Sequence, residues 1–400
     1  MRWITQNLFK LFVCTAMGTL KFSQFFFEQW TRLPPPLQSD LAQKVVMVTG
    51  ANTGIGLEAA KIFASMHPKK LIVACRSEEK GMATIAAIEQ ATGYRGTALA
   101  VFDQEDFGSI IKYAESVKEE PLESLISWWP MLALLCPNTN RLETAGRRRE
   151  CWYRHCACLA EVLTSLQVNH LATALLSLLL LPNLIRTGQA NGTTSRLSIV
   201  TSGNHYWVKL EEELLDAPNL LQMLNDKGYC ANGAMQRRYP VSKRTHPFIP
   251  QPHTLIVDTR SLPVLNVLFA RALAEHLPAS VPLIVNAVAP GFCYSQLRRS
   301  VVATMSFAVR LWFGDLFLGR TAEQGARQLV WAALGPDGKE GPHTSWMRGA
   351  YVSTLSIKEP SDFVISQDGG RAQEKVYEET LEILSKFTPD VCAAIETYLA

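Results

Sequence analysis

From residue 44 the chain alternates between short runs of β-branched and apolar residues and longer stretches whose apolar positions recur every three or four residues. The run KVVMVT (44–49) leads through a glycine-bearing turn into GIGLEAAKIFA, where Ile55, Ala59, Ile62 and Phe63 share one face. This pattern predicts a strand followed by an amphipathic helix. The alternation then repeats. KKLIVACRS predicts a second strand ending at Arg76, EEKGMATIAAIEQATG a helix, GTALAVFDQED a third strand ending at Asp103, and FGSIIKYAESVKEE a further helix. LESLI (122–126), RLSIV (196–200) and LIVNAV (283–288) supply later strands. Strands and helices in this order predict an α/β fold built on a parallel, doubly wound sheet.

The first turn changes the picture from fold to ligand. In TGANTGIG (49–56), Gly50, Gly54 and Gly56 let the backbone turn sharply and approach a pyrophosphate, whose charge the following helix N-terminus would meet. A strand before and a helix after make this a Rossmann-type nucleotide turn, with Gly50, Asn52, Thr53, Gly54, Ile55 and Gly56 as its cradle. Arg76 falls where an adenosine ribose should sit. There it can pair with a 2′-phosphate, so NADP(H) is expected in preference to NAD; the plain alternative is a solvated loop cation. Asp103 is either a strand-end turn residue or a hydrogen-bond acceptor for the adenine amino group.

Composition narrows the class. The 400 residues are 48% hydrophobic, with a net charge of +3 spread along the chain. That leaves room for a large core and offers no basic stripe for nucleic acid, so small molecules are the expected partners. The nine cysteines are scattered and odd in number, which suggests free thiols in a reducing compartment and a cytoplasmic protein. Residues 1–40, ending in the proline-rich LPPPLQSD, read as an N-terminal extension to a single domain over 41–400. Within the extension, Leu8 to Phe27 is apolar but broken by Lys10, Gly18, Lys21 and Gln24, so weak, peripheral contact with an intracellular membrane is the alternative to a detached tail. LATALLSLLLLPNLI (171–185) reads as a buried helix, too short before Pro182 to span a bilayer. QLRRSVVATMSFAVRLWFGDLFLG, starting at 296, is apolar and aromatic and predicts a substrate lid or a membrane-touching helix, hence a lipophilic substrate. A helix from TAEQGARQLVWAAL, a last strand around GAYVSTLS and an amphipathic helix near 372–386 complete the domain.

Five segments occur in a telling order: TGANTGIG (49–56), LQVNHL (166–171), RLSIVTSGNHYW (196–207), YPVSK (239–243) and NAVAPGFCYS (286–295). Together they resemble the short-chain dehydrogenase/reductase family. ACRS at the second strand end and SGNHYW are similar to its retinol dehydrogenase and WW-domain oxidoreductase-like branch, with many fungal members. The resemblance implies an oxidoreductase moving a hydride between NADP(H) and a lipophilic alcohol or carbonyl; a role in secondary metabolism follows only by analogy with fungal relatives. A homo-oligomer is an open alternative to a monomer.

The chemistry can also be argued from the residues. Reduction of a carbonyl needs a proton donor at the substrate oxygen, and Tyr239 offers a phenol. Lys243, one helical turn on, would lower the phenol's pKa and reach the nicotinamide ribose. Ser202 can hold the substrate oxygen, with Thr201 the weaker candidate. Pro290 and Gly291 stand at the carboxyl end of LIVNAV, where cofactor and substrate meet in such sheets; by the resemblance, Asn169 links the lysine to solvent through a water and Ser295 bonds the nicotinamide carboxamide or a phosphate. The expected catalytic set is therefore Ser202, Tyr239, Lys243 and Asn169.

Two atypical segments interrupt this pattern. YPVSK is separated from VLNVLFARALAEHL by residues 244–263, through which no helix is expected to run, because Pro247, Pro250 and Pro252 remove donors and clash with the preceding turn. Deleting those residues restores an unbroken helical period. Residues 127–165 replace the asparagine-alanine-glycine motif that the family carries on the fourth strand. Shifting the frame over 131–149 gives codons compatible with that motif followed by DGWETT. Residues 127–149 thus look out of frame, and 150–165 and 244–263 look like translated introns. The cluster Cys151, His155, Cys156 and Cys158 lacks a second ligand pair at matching spacing, and no metal is expected. The competing reading is a nucleotide-binding protein whose disrupted site does not catalyse.

Overall fold

A computed structural model describes residues 22–119, 122, 124–127, 166–225, 256–293, 318–336, 338 and 342–399. Twelve α-helices and eight strands are found among them. In chain order they are α1 (Phe22–Trp30), β1 (Val45–Thr49), α2 (Gly54–Ala64), β2 (Lys70–Cys75), α3 (Glu78–Thr92), β3 (Thr97–Val101), α4 (Phe107–Ser116), β4 (Ser124–Ser127), α5 (Ala172–Asn191), β5 (Ser195–Val200), α6 (Glu212–Asp216), α7 (Leu220–Leu224), α8 (Ile256–His276), β6 (Leu283–Val288), α9 (Ala322–Leu334), β7 (Tyr351–Ser353), β8 (Ser356–Lys358), α10 (Asp362–Ile365), α11 (Gln367–Ser385) and α12 (Pro389–Tyr398). The strands form one sheet in the order β3-β2-β1-β4-β5-β6-β7-β8. All pairings are parallel except β7 with β8. The order reverses between β1 and β4, the crevice where such sheets bind nucleotides.

Burial explains why the central strands read as unbroken apolar runs. All five residues of β1 and all six of β6 are buried, as parallel strands covered on both faces must be. One helical layer packs α5, α8 and α11 around Leu175, Leu176, Leu178 and Phe269. The other packs α2 and α9 around Ile55, Phe63, Leu329 and Val330. Each such side chain contributes roughly 1.5–3 kcal/mol by leaving water. The expected single-domain, doubly wound Rossmann-type architecture is what the chain forms.

Several expectations need correction. α5 is the buried helix expected over 171–185, and it extends past that range, through Pro182, to Asn191. Gln167–Asn191 is long and apolar enough to cross a membrane, yet 89% of its apolar window is buried inside the protein. Burying that many leucines outweighs the one lost donor and ring clash of a proline, about 3 kcal/mol. α8 likewise runs through Pro263, so a helix does occupy the second half of the 244–263 segment from Ile256 onward. Pro247, Pro250 and Pro252 lie outside the described residues, as does the 128–165 segment. GAYVSTLS is not one strand but an antiparallel hairpin, because Thr354 and Leu355 adopt left-handed φ values of 52° and 55° and turn the chain. The last predicted helix starts earlier, at Gln367, with Ser366 accepting the Gly369 N–H as its cap.

The N-terminal extension is packed on the domain from α1 onward. The Arg320 guanidinium donates to the Glu28 carbonyl, the Glu28 carboxylate lies 3.6 Å from Lys358 Nζ, and Phe25 meets Trp207 edge to face at 5.4 Å. Arg327 donates to the carbonyls of Leu33 and Pro34. Phe27 and Trp30 point outward and are exposed.

Candidate active site

The glycine turn leaves β1 at Gly50, whose φ is 62° and whose N–H donates to the Ala74 carbonyl at the end of β2 (3.1 Å). Gly54 has φ 59°, and a Cβ placed there would meet nothing within 4 Å. No protein packing therefore forbids a side chain at this position. Backbone conformation and an open approach do, which is what a phosphate-facing glycine needs. Thr53 at the N-cap of α2 is exposed and makes no side-chain cap bond, so the first-turn amides are left without a hydroxyl cap. Asn52 is half-buried; Ile55 and Gly56 are buried. Ile55 anchors the turn: a Cβ on Gly325 of α9 would come within 3.2 Å of Ile55 Cδ1 and 2.5 Å of Cys293 Sγ. Thus the start of α2 and the segment after β6 close on the same glycine. These residues fit a dinucleotide pyrophosphate.

At the far edge, Arg76 is exposed and its Nη1 lies 3.3 Å from Glu105 Oε1. Asp103 accepts the Glu105 N–H at 3.0 Å through Oδ1, and its own N–H donates to Ser109 Oγ. The turn role of Asp103 is therefore seen directly, and the same turn presents Glu105 to Arg76.

Asn169 lies in a π-helical turn, Gln167–Leu171, that enters α5, with the Ala172 N–H reaching back five residues to the Gln167 carbonyl. Such single π turns are frequent at functional sites. Ser202 follows β5 and starts a 3-10 turn, Gly203–Trp207, with Oγ accepting the Asn204 N–H (3.2 Å) and donating to no acceptor among the described residues. Thr201 is buried and its hydroxyl is committed to the Pro263 carbonyl (2.7 Å). Geometry thus favours Ser202 over Thr201. Past β6, Pro290 is buried, its carbonyl held by Gln328. Gly291 has φ 81°, and a Cβ would sit 3.1 Å from Arg320 Nη1 and 3.3 Å from Gln29 Nε2. The structure brings Gly50 and Gly54, Ser202 and Gly291 to the carboxyl ends of β1, β5 and β6, with the Asn169 turn tied to the end of β5 through Asn266. Tyr239, Lys243 and Ser295 lie outside the described residues.

Sequence reasoning missed the polar residues beneath this surface. His205 Nδ1 lies 2.9 Å from the Ser202 carbonyl, and its Nε2 accepts the Ser361 N–H at 3.3 Å. An Nε2 that accepts carries no proton, so Nδ1 is the donor. Burial pushes His205 down to about 4, against the raising effect of its Ser202 bond. His170, wholly buried, is also pushed down to about 4 by desolvation, opposed by its bond to Asn266. Unfolded histidines take up protons near 6.5 and these do not until about 4, so the unfolded state binds more protons between the two values. Folding stability is expected to fall as pH drops from 6.5 toward 4. Thermal melting across that range, with His170→Asn and His205→Asn beside the parent, checks this: each variant should flatten the decline, and parallel curves would refute it.

A sheet of this topology with a glycine turn at its switch point is a Rossmann-type, dinucleotide-binding arrangement. The first part of the chain, residues 44–194, matches the short chain dehydrogenase family model. Over 385 residues the chain is 31% identical to the short-chain dehydrogenase anuD of Penicillium roqueforti, covering 94% of this chain and 86% of that protein. It is 28% identical to the short chain dehydrogenase/reductase dmxR8 of a Cryptosporiopsis species, covering 92% and 98%. Among solved structures, salutaridine reductase from Papaver somniferum superposes with a TM-score of 0.52 at 20% identity, over 77% of this chain and 99% of that one. The chain belongs to the short-chain dehydrogenase family, and the relatives named are fungal, as the sequence resemblance implied.

Proposed function

We propose that this protein is an NADP(H)-dependent reductase or dehydrogenase of a lipophilic alcohol or carbonyl, on the retinol dehydrogenase-like side of its family. The observation that carries the reading is the convergence of the open glycine turn, Asn169, Ser202 and Gly291 on one end of the sheet. The cofactor supplies or takes the hydride when bound. Ser202 holds the substrate oxygen through its hydroxyl proton, Tyr239 exchanges the oxygen's proton, Lys243 keeps that phenol acidic, and Asn169 relays the proton to solvent. The apolar stretch from residue 296 supports a lipophilic substrate, and the cytoplasm or the face of an intracellular membrane is the setting this chemistry suits.

Arg76 supports NADP(H) over NAD. Its ion pair with Glu105 is exposed and worth little in water, about 0–1 kcal/mol, so a 2′-phosphate could displace the carboxylate at small expense. Arg76→Ala should weaken NADPH binding about tenfold or more and leave NADH unchanged. Calorimetric titration with both cofactors reads this directly; equal losses for the two would remove Arg76 from the phosphate site. The same titration beside a panel of lipophilic ketones and aldehydes tests the activity itself. Binding without turnover would favour the second reading, a nucleotide-binding protein without catalysis, for which the interior Pro263 of α8 beside Thr201 is the specific observation.

A further inference from the structure

Under the proposed site lies a directed chain of hydrogen bonds between buried side chains from three helical elements. Asn266 of α8 is 7% exposed; its Nδ2 donates to the Asn169 carbonyl at 3.0 Å and to the Val200 carbonyl at 3.3 Å. Two carbonyls can only accept, so the amide nitrogen must face them and Oδ1 must face the other way. Oδ1 lies 3.0 Å from His170 Nδ1, which must therefore carry the proton. The His170 Nε2, left without one, accepts from the Thr380 hydroxyl of α11 at 2.9 Å. His170 and Thr380 are fully buried, and the imidazole packs edge-on against Phe269 of α8, centroids 5.8 Å apart.

The polarity runs one way: Thr380 to His170, His170 to Asn266, and Asn266 to two main-chain carbonyls. Those carbonyls belong to the turn that carries Asn169 and to the last residue of β5, two positions before Ser202. A hydrophobic residue at 266 would satisfy packing but take the acceptor from His170 Nδ1 and a donor from two main-chain carbonyls; a buried polar group left unpaired costs about 1–3 kcal/mol. A fully satisfied buried network fixes one arrangement of the elements it joins.

We propose that Asn266 is a positioning residue for the catalytic centre: its carboxamide sets the spacing between the Asn169 turn and the strand end bearing Ser202, with His170 and Thr380 fixing its orientation. This rests on the proposed oxidoreductase reading. Asn266 touches neither substrate nor cofactor in this role. It acts through the two residues that do, so its loss changes the rate of the chemical step more than the affinity for either ligand.

Asn266→Asp is the discriminating variant, because it keeps the oxygen that receives the His170 proton and replaces the two N–H donors by a carboxyl oxygen with at most one proton for the two carbonyls. In the full chain we expect kcat to fall about tenfold or more, with the NADPH Kd within about twofold and substrate KM within about threefold. His170→Asn, whose amide can replace the Nδ1 donor, should keep kcat within about threefold of the parent even where melting temperature drops. A kcat for Asn266→Asp equal to the parent's, or one that falls only with the folded fraction, would overturn the proposal. If the parent reduces no carbonyl, the oxidoreductase reading fails on its own account. The positioning is then judged by amide hydrogen exchange of residues 166–172 and 199–203, expected to be faster in Asn266→Asp; unchanged exchange overturns it.

Discussion

Removing residues 244–263 is expected to raise the rate of NADPH-dependent carbonyl reduction by about 100-fold or more, the lower range of what a positioned proton donor contributes. The register of α8 is the argument. In the full chain the residue before Val264 is Pro263, whose carbonyl is held by Thr201, one residue from Ser202. Excising these 20 residues makes Lys243 the residue before Val264 and puts Tyr239 in the helical place of Thr259. The pair would then stand one turn apart on a helix already docked beside Ser202, with Asn266 three residues beyond the lysine. The excision exchanges one interior proline for another, since Pro263 goes and Pro240 takes the place of Arg260, so the gain expected is in rate rather than in melting temperature. Residues 127–165 remain in both proteins, so the comparison isolates the helix. Tyr239→Phe in the shortened chain should return the rate to that of the full chain with little change in NADPH binding. A shortened chain that folds and binds NADPH but gains no turnover would sink the idea and leave the non-catalytic reading. The transcript from the source, sequenced across codons 120–270, should lack the segment if the shorter helix is the native one.

What could be read from the sequence was what local period and local geometry encode. The strand-helix alternation sets the sheet because each apolar run has only one way to be covered on both faces, and Gly50 and Gly54 announce their positive φ by having no side chain. Ser202 and Thr201 could not be separated that way, since both are hydroxyls at a strand end. Only the Pro263 carbonyl, 62 residues away in sequence, distinguishes them by occupying the threonine. Asn266 and His170 are 96 residues apart, and His170 and Thr380 are 210 apart. No spacing rule points to such a chain, although LQVNHL does put a polar pair into an otherwise apolar helix entry, and that could have prompted a search for partners. The helix through Pro263 was misjudged because proline's cost is local and definite, whereas the packing that offsets it is distributed over many apolar side chains and becomes visible only in three dimensions.

Gly54→Ala should leave a folded protein that has lost at least about tenfold in NADPH affinity. A left-handed φ of 59° costs an L-residue roughly 1–2 kcal/mol, so a modest fall in stability is unavoidable. The added methyl meets no protein atom within 4 Å; it projects into the open space before the α2 N-terminus, where a pyrophosphate must come close to the backbone amides. Strain and ligand exclusion can be separated with Gly93→Ala. Gly93 caps α3 with φ 73°, also has nothing within 4 Å of its Cβ position, and lies at the opposite end of a strand-helix unit from the glycine turn. Both variants should lose similar stability in thermal denaturation, while calorimetric titration should show the binding loss in Gly54→Ala alone. Unchanged NADPH affinity in Gly54→Ala would mean the turn serves the fold rather than the cofactor. Equal losses in both would mean that backbone strain, and not a blocked approach, governs binding. A loss confined to Gly54 identifies the open face of this turn as the place where the cofactor's phosphates meet the protein.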